Sequence, residues 1–183
     1  MWTHQRVTPK IHLVAQFLPW HRLFLNKFEE VIINECGWTG GMPYWDESLD
    51  WKDIISAPIF SGPNSFGGNG VYDPEAEIFW LEGFPEFVGH GGGCVPDGPY
   101  ANEIIHIKGG SDSGYTERCI KRNIIQEIAT IWVNPNRELD ALNKPTFYEF
   151  TQAAEGDLNW ASNFGLHNGG HMLVEGDVSL FPP

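Results

Sequence analysis

From residue 38 to residue 115, glycine and proline recur so densely that neither a long helix nor a regular sheet fits the sequence. Ser61-Gly62-Pro63-Asn64 and Gly89-His90-Gly91-Gly92-Gly93 read as turns and loops, because glycine opens left-handed backbone and proline removes a hydrogen-bond donor. Short strands, such as one over Glu103–Lys108, are all the regular structure predicted there. A loop region of this length in a compact domain serves a purpose or is held by bonds of its own. The chain therefore has two patterned ends joined by a long excursion.

Both ends are patterned as helices, so the expected fold class is mainly α. Residues 4–15 are amphipathic, with Pro9 limiting the run. From Leu18 to Glu35 apolar residues fall at Leu18, Phe24, Leu25, Phe28, Val31 and Ile32, mostly three or four apart, which is a helical period. Pro19 is tolerated in the first turn and Gly37 stands just past the end. Helical patterning returns over Glu117–Trp132 and over Lys144–Ala154, where Pro145 suits a first turn. A last helix is expected around His167–Val174; Gly169 and Gly170 weaken it, so tertiary contacts or a metal must hold it. The length of 183 residues fits one domain.

The seven histidines carry the chemistry: His4, His12, His21, His90, His106, His167 and His171. His167 and His171 are four apart, so on a helix their imidazoles share one face and can converge on one ion. They are not the zinc-protease pair, which needs a glutamate after the first histidine; Asn168 follows here. His4, His12 and His21 are spaced by eight and nine, and helical phase puts His21 on the apolar side with Phe24, Leu25 and Phe28. A buried imidazole needs a partner, and a metal is one such partner. A nitrogen-only ligand set suits copper or zinc, and spacing does not choose between them.

The charge balance narrows the partners. With 24 acidic and 11 basic residues the formal net charge is −13. Such a surface repels phosphate backbones and anionic lipid headgroups, so neither nucleic acid nor a membrane is an expected partner. No stretch reaches the roughly 18 apolar residues of a spanning helix, and Met1 to Arg6 has no signal-peptide pattern. Cys94 and Cys119 can pair in an oxidising compartment, leaving Cys36 as a free thiol or with a partner outside this chain. A secreted or otherwise oxidising location is slightly favoured on that ground.

Longer strings then resemble a known family. Phe17-Leu18-Pro19-Trp20-His21-Arg22, Phe28-Glu29, Pro43-Tyr44-Trp45-Asp46 and His167-Asn168-Gly169-Gly170-His171 resemble, in this order and separation, the tyrosinase and catechol oxidase family, type-3 dicopper proteins, and most nearly its short fungal members. Gly91-Gly92-Gly93-Cys94-Val95 and Gly98-Pro99-Tyr100-Ala101-Asn102 are similar to it as well. The resemblance implies a single domain over 1–183 with a four-helix-bundle core and long Gly/Pro-rich loops: a copper A half at 1–46, a loop region at 47–116 and a copper B half at 117–183.

It implies two copper ions, with zinc as a substitute, held at copper A by His4, His12 and His21 and at copper B by His167 and His171. It implies phenolic small molecules and dioxygen as partners, with o-diphenols, and monophenols by extension, oxidised to o-quinones. Glu155 and Asn168 match the pair that holds a proton-accepting water for monophenols. Arg22 and Asp46 are expected to pair, Phe17, Trp20 and Trp45 to wall the site, and Phe28 and Glu29 to pack and tether the helix.

Some departures are visible. The family's third copper B histidine is expected beyond Pro183 and a further region ahead of Met1, so the domain reads as incomplete at both ends. His90 and His106 lie in loop sequence away from any ligand motif and are not expected to substitute. Lys10 stands where many fungal members carry a cysteine crosslinked to the second copper A ligand. The competing readings are a haemocyanin-like oxygen binder, a non-catalytic chain with one copper or zinc at His4, His12 and His21, and a helical binding module without metal.

Overall fold

The structure is a computed structural model that describes residues 2–76, 87, 89–107, 114–156 and 163–178. Described residues form seven helices and one two-stranded sheet, so the fold is mainly helical as expected. Helix α1 spans Trp2–Ile11 and α2 spans Phe17–Cys36. Pro9 has no N–H for the carbonyl one turn back, and α1 ends two residues beyond it. The chain then reverses through Leu13, a non-glycine residue at φ 55°. Gly37 closes α2 in the left-handed conformation at φ 67°, its N–H and that of Trp38 capping the carbonyls of Ile33 and Ile32.

The excursion holds a one-turn helix α3 at Glu47–Asp50 and an antiparallel pair, β1 at Ile104–Ile107 and β2 at Tyr115–Cys119. The strand expected over Glu103–Lys108 is β1; Lys108 lies outside the described residues. Cys94 and Cys119 form a disulfide, which closes a loop of 25 residues onto β2. Buried polar groups fasten the excursion to the second half. The Arg122 guanidinium donates to the carbonyls of Gly67 and Gly68 and lies over the Phe60 ring. Asn69 accepts from the Ile124 N–H, and Asn123 accepts from Gly91 while donating to the Glu175 carboxylate at 2.7 Å.

The second half differs from its sequence reading at three points. Glu117–Trp132 is not one helix: it begins in β2, and α4 is confined to Gln126–Trp132. Alternation of exposure along β2 and the disulfide hold its first part extended. Helix α5 at Pro135–Leu142 was not expected, although Asn134 caps its first N–H groups and Pro135 opens it. Helix α6 is Phe147–Glu155, capped by the Thr146 hydroxyl accepting from Glu149 N–H, so Pro145 stands before the cap and not in the first turn.

Helix α7, Gly165–Val174, packs on α4 and α6. Its Gly169 lets α4 approach closely, since a Cβ there would lie 2.7 Å from the Trp132 Cβ. The main core joins Ile54 and Phe60 of the excursion to Ile128 and Trp132 of α4 and Leu173 of α7. Helix α2 stands apart from it: Phe17 alone is buried, while Leu25 and Phe28 are about half exposed, at 48% and 51%. Phe28 therefore does not pack as expected, but Glu29 does tether α2, accepting from the Met42 N–H at 2.8 Å.

Breaking the disulfide by Cys94→Ser should remove about 3 kcal/mol of stability, the cost of reopening a loop of this size. Urea unfolding with and without reductant measures it, and reductant should affect the parent protein alone.

Candidate metal centre

The two helical ends bring five of the seven histidines together. His4 lies on α1, His12 at its C-terminal end, His21 on α2, and His167 and His171 one turn apart on α7. The ring nitrogens of His4, His12 and His21 lie within 4.8 Å of one another, with His4 Nε2 3.1 Å from His21 Nε2. The Nε2 atoms of His167 and His171 are also 3.1 Å apart. The groups meet where the His12 and His167 rings stack, 19° from parallel with centroids 5.5 Å apart.

Backbone carbonyls decide which nitrogen faces inward. His12 Nδ1 lies 3.0 Å from the Thr8 carbonyl, His21 Nδ1 2.8 Å from that of Phe17, and His171 Nδ1 2.8 Å from that of Val178. A carbonyl only accepts, so each Nδ1 carries the proton and donates, leaving a bare lone pair on Nε2. Burial, with the neighbouring imidazoles adding to it, pushes His167 down to about 2 and His4 to about 4, and burial also lowers His12 and His171. These four imidazoles are neutral at pH 7, the form that binds metal.

His12 Nε2 supplies the test of fit. It is buried and has no hydrogen-bond partner, a costly arrangement for a lone pair unless a cation receives it. Nitrogen-only donors, with His12, His21 and His171 held in one tautomer, fit copper or zinc. Phe17 shields the cluster, its ring 5.5 Å from His12, 4.5 Å from His21 and 4.8 Å from His167. Trp20 lies against His4 and His21, with ring centroids 5.8 Å and 5.0 Å away.

The family model for the common central domain of tyrosinase matches residues 1–182. The chain belongs to the tyrosinase family. Among curated relatives, oxidase hkm6 of Aspergillus hancockii is 32% identical over 94% of this chain and 66% of its own length. Tyrosinase P of Aspergillus terreus is 29% identical, over 97% of this chain and 55% of its own. A polyphenol oxidase variant from Thermothelomyces thermophila, solved as a structure, superposes with a TM-score of 0.86 at 32% identity, covering 98% of this chain and 51% of that one. The chain thus spans half to two thirds of the length of these relatives. Tyrosinases are copper proteins, and the imidazole cluster is the part of this tyrosinase-family chain suited to copper.

The remaining sequence expectations divide. His90 and His106 stay outside the cluster, both exposed, with His106 stacked on Tyr115. Trp45 does not wall the site: it packs edge-on against Phe60 and donates to Asp50. Arg22 does not pair with Asp46, because Arg22 points to solvent and Asp46 accepts from the Ser48 hydroxyl. Asn168 and Glu155 do meet, through the Asn168 amide and the Glu155 backbone carbonyl. The Glu155 carboxylate instead accepts from the Leu13 N–H at 2.8 Å, and burial raises its pKa while that N–H opposes the rise.

Sequence reasoning missed the backbone partners of the histidines. Thr8 and Phe17 each stand four residues before the histidine they hold, but any residue type offers a carbonyl, so no side-chain signal marks them. It also missed the crossing of α6 and α7 at Gly156 and Gly165. Gly165 adopts φ 69°, and a Cβ there would lie 2.3 Å from the Gly156 nitrogen.

Two outcomes follow for the tyrosinase-family domain. Gly165→Ala should lower the unfolding free energy by roughly 2 kcal/mol or more through left-handed strain and the backbone clash, read by urea denaturation. Stripped of metal, the protein should lose stability as pH falls below the ordinary histidine value of 6.5. The folded values are depressed, so the unfolded chain takes up protons first; the loss continues down to about 4 for His4 and about 2 for His167. Denaturation midpoints at pH 7.5 and pH 5 measure it, with the lower midpoint at pH 5.

Proposed function

We propose that this chain carries the dicopper site of an oxidase that converts o-diphenols to o-quinones with dioxygen. The observation that carries the reading is the convergence of His4, His12 and His21 with His167 and His171, with backbone carbonyls fixing the tautomer of His12, His21 and His171. Copper A would be held by the first three, and the last two would supply two of the ligands of copper B, with zinc as a substitute in the same nitrogen set. Copper, when bound, supplies redox chemistry with dioxygen between its two oxidation states. Each diphenol gives up two electrons and two protons, and two diphenols reduce one dioxygen to two waters.

The chain's own residues supply the setting. The Thr8, Phe17 and Val178 carbonyls keep the donor lone pairs aimed inward. Phe17 and Trp20 keep bulk water from the ligand nitrogens. A monophenol must first lose its phenolic proton, and Glu155 with Asn168, next to His167, is the polar pair we assign to a water that takes it. The net charge of −13 favours neutral or cationic phenols over anionic ones. The Cys94–Cys119 disulfide supports an oxidising compartment. Among the described residues no helix is long and apolar enough to cross a membrane.

Copper analysis of the dialysed protein, followed by a catechol assay under oxygen, tests the reading. Two coppers per chain and quinone formation are expected, and His12→Ala or His167→Ala should each cost one copper and abolish the oxidation. Oxygen uptake without quinone would mark a carrier of the haemocyanin kind. One retained metal with no oxidation would mark a non-catalytic chain.

A further inference from the structure

The carboxylate of Glu155 sits where local energetics disfavour it. It is the last residue of α6, where the helix dipole repels an anion, and it is only 3% exposed. What it holds accounts for its presence. Its Oε2 accepts the Leu13 N–H at 2.8 Å across 142 residues of chain. Leu13 follows His12 and has left-handed backbone at φ 55° just past the end of α1, so its N–H has left the helical ladder. The carbonyl of the same Glu155 accepts from the Asn168 side-chain amide, and Asn168 follows His167. Both contacts thus fall one residue beyond the two stacked rings, His12 and His167, at which the histidine groups touch.

We propose that Glu155 is a positioning residue that fixes the separation of the two histidine groups, with its carboxylate holding the His12 side and its carbonyl the His167 side. The proposal rests on the dicopper reading for its purpose and on the two hydrogen bonds for its geometry. It assigns Glu155 a task apart from proton transfer. What the task requires is an acceptor at the right reach, not a negative charge. The Gly156–Gly165 crossing adjoins Glu155 and keeps α6 and α7 from sliding, so the reach of the side chain sets the span.

Substitution separates reach from charge. Glu155→Gln keeps an acceptor at the same distance, Glu155→Asp keeps the charge but is one methylene short, and Glu155→Ala removes both. The metal-free proteins are compared by amide hydrogen exchange at Leu13. The copper(II)-loaded proteins are compared by the number of paramagnetic spins per copper, which falls well below one when two ions lie close enough to couple. Glu155→Gln should match the parent in both. Glu155→Ala and Glu155→Asp should exchange Leu13 roughly tenfold to a hundredfold faster, as a freed buried N–H does, and should approach one spin per copper.

Should Glu155→Ala fail to fold, Asn168→Ala cuts the other contact of the same residue and should also raise the spin count. A Glu155→Ala protein indistinguishable from the parent in exchange and in spin count overturns the proposal. So does a Glu155→Gln protein that behaves like Glu155→Ala, because charge would then be the requirement. If Glu155→Ala frees the Leu13 N–H and Glu155→Gln does not, but a second copper never binds, the oxidase reading fails while the positioning role stands. If coupled copper forms equally in every variant, the positioning role fails and the dicopper reading stands.

Discussion

Ring nitrogens donating to backbone carbonyls are the interaction on which the site depends. A free imidazole exchanges its proton between two nitrogens and turns about its bonds; a hydrogen bond from Nδ1 to a carbonyl stops both. His12 and His21 use the carbonyl four residues back, so an intact helical turn is all each needs. His171 uses the Val178 carbonyl beyond the end of α7. The fold has to deliver the turns and bring them within reach, and the sulfur-free, carboxylate-free donor set then follows from which side chains those turns carry. Burial completes the arrangement by keeping the imidazoles neutral.

Much of the site was legible in the sequence because histidine is scarce and helical spacing is regular. His167 and His171 had to share a helix face, and His21 had to lie on the apolar side of its helix. The long tyrosinase-like strings then grouped them with His4 and His12. Local patterning was less reliable where tertiary bonds override it. The segment from Glu117 reads as amphipathic helix, yet pairing with β1 and the bond to Cys94 draw it out as strand. The reverse holds at Asn134-Pro135, where a cap and a helix-opening proline start α5.

Contacts between side chains were least legible. Arg22 and Asp46 have opposite charges and suitable order, but Asp46 accepts from the Ser48 hydroxyl and Arg22 is exposed. Trp45 is large and near the ligand helix in sequence, yet α3 turns it toward Asp50 and Phe60. Phe28 fits a helical stripe, and that stripe meets no core among the described residues. Periodicity states which residues share a side of a helix; it says nothing of what stands opposite that side.

Leu13 and Glu155 stand 142 positions apart in the chain, and the contact between them closes nearly its whole length. His4, His12 and His21 are close in sequence, whereas His167 and His171 of α7 stand beyond the whole Gly/Pro-rich excursion. Closing so long a loop costs conformational entropy that no early contact repays. Contacts among His4, His12 and His21 therefore close short stretches of chain, and those with His167 and His171 close a long one.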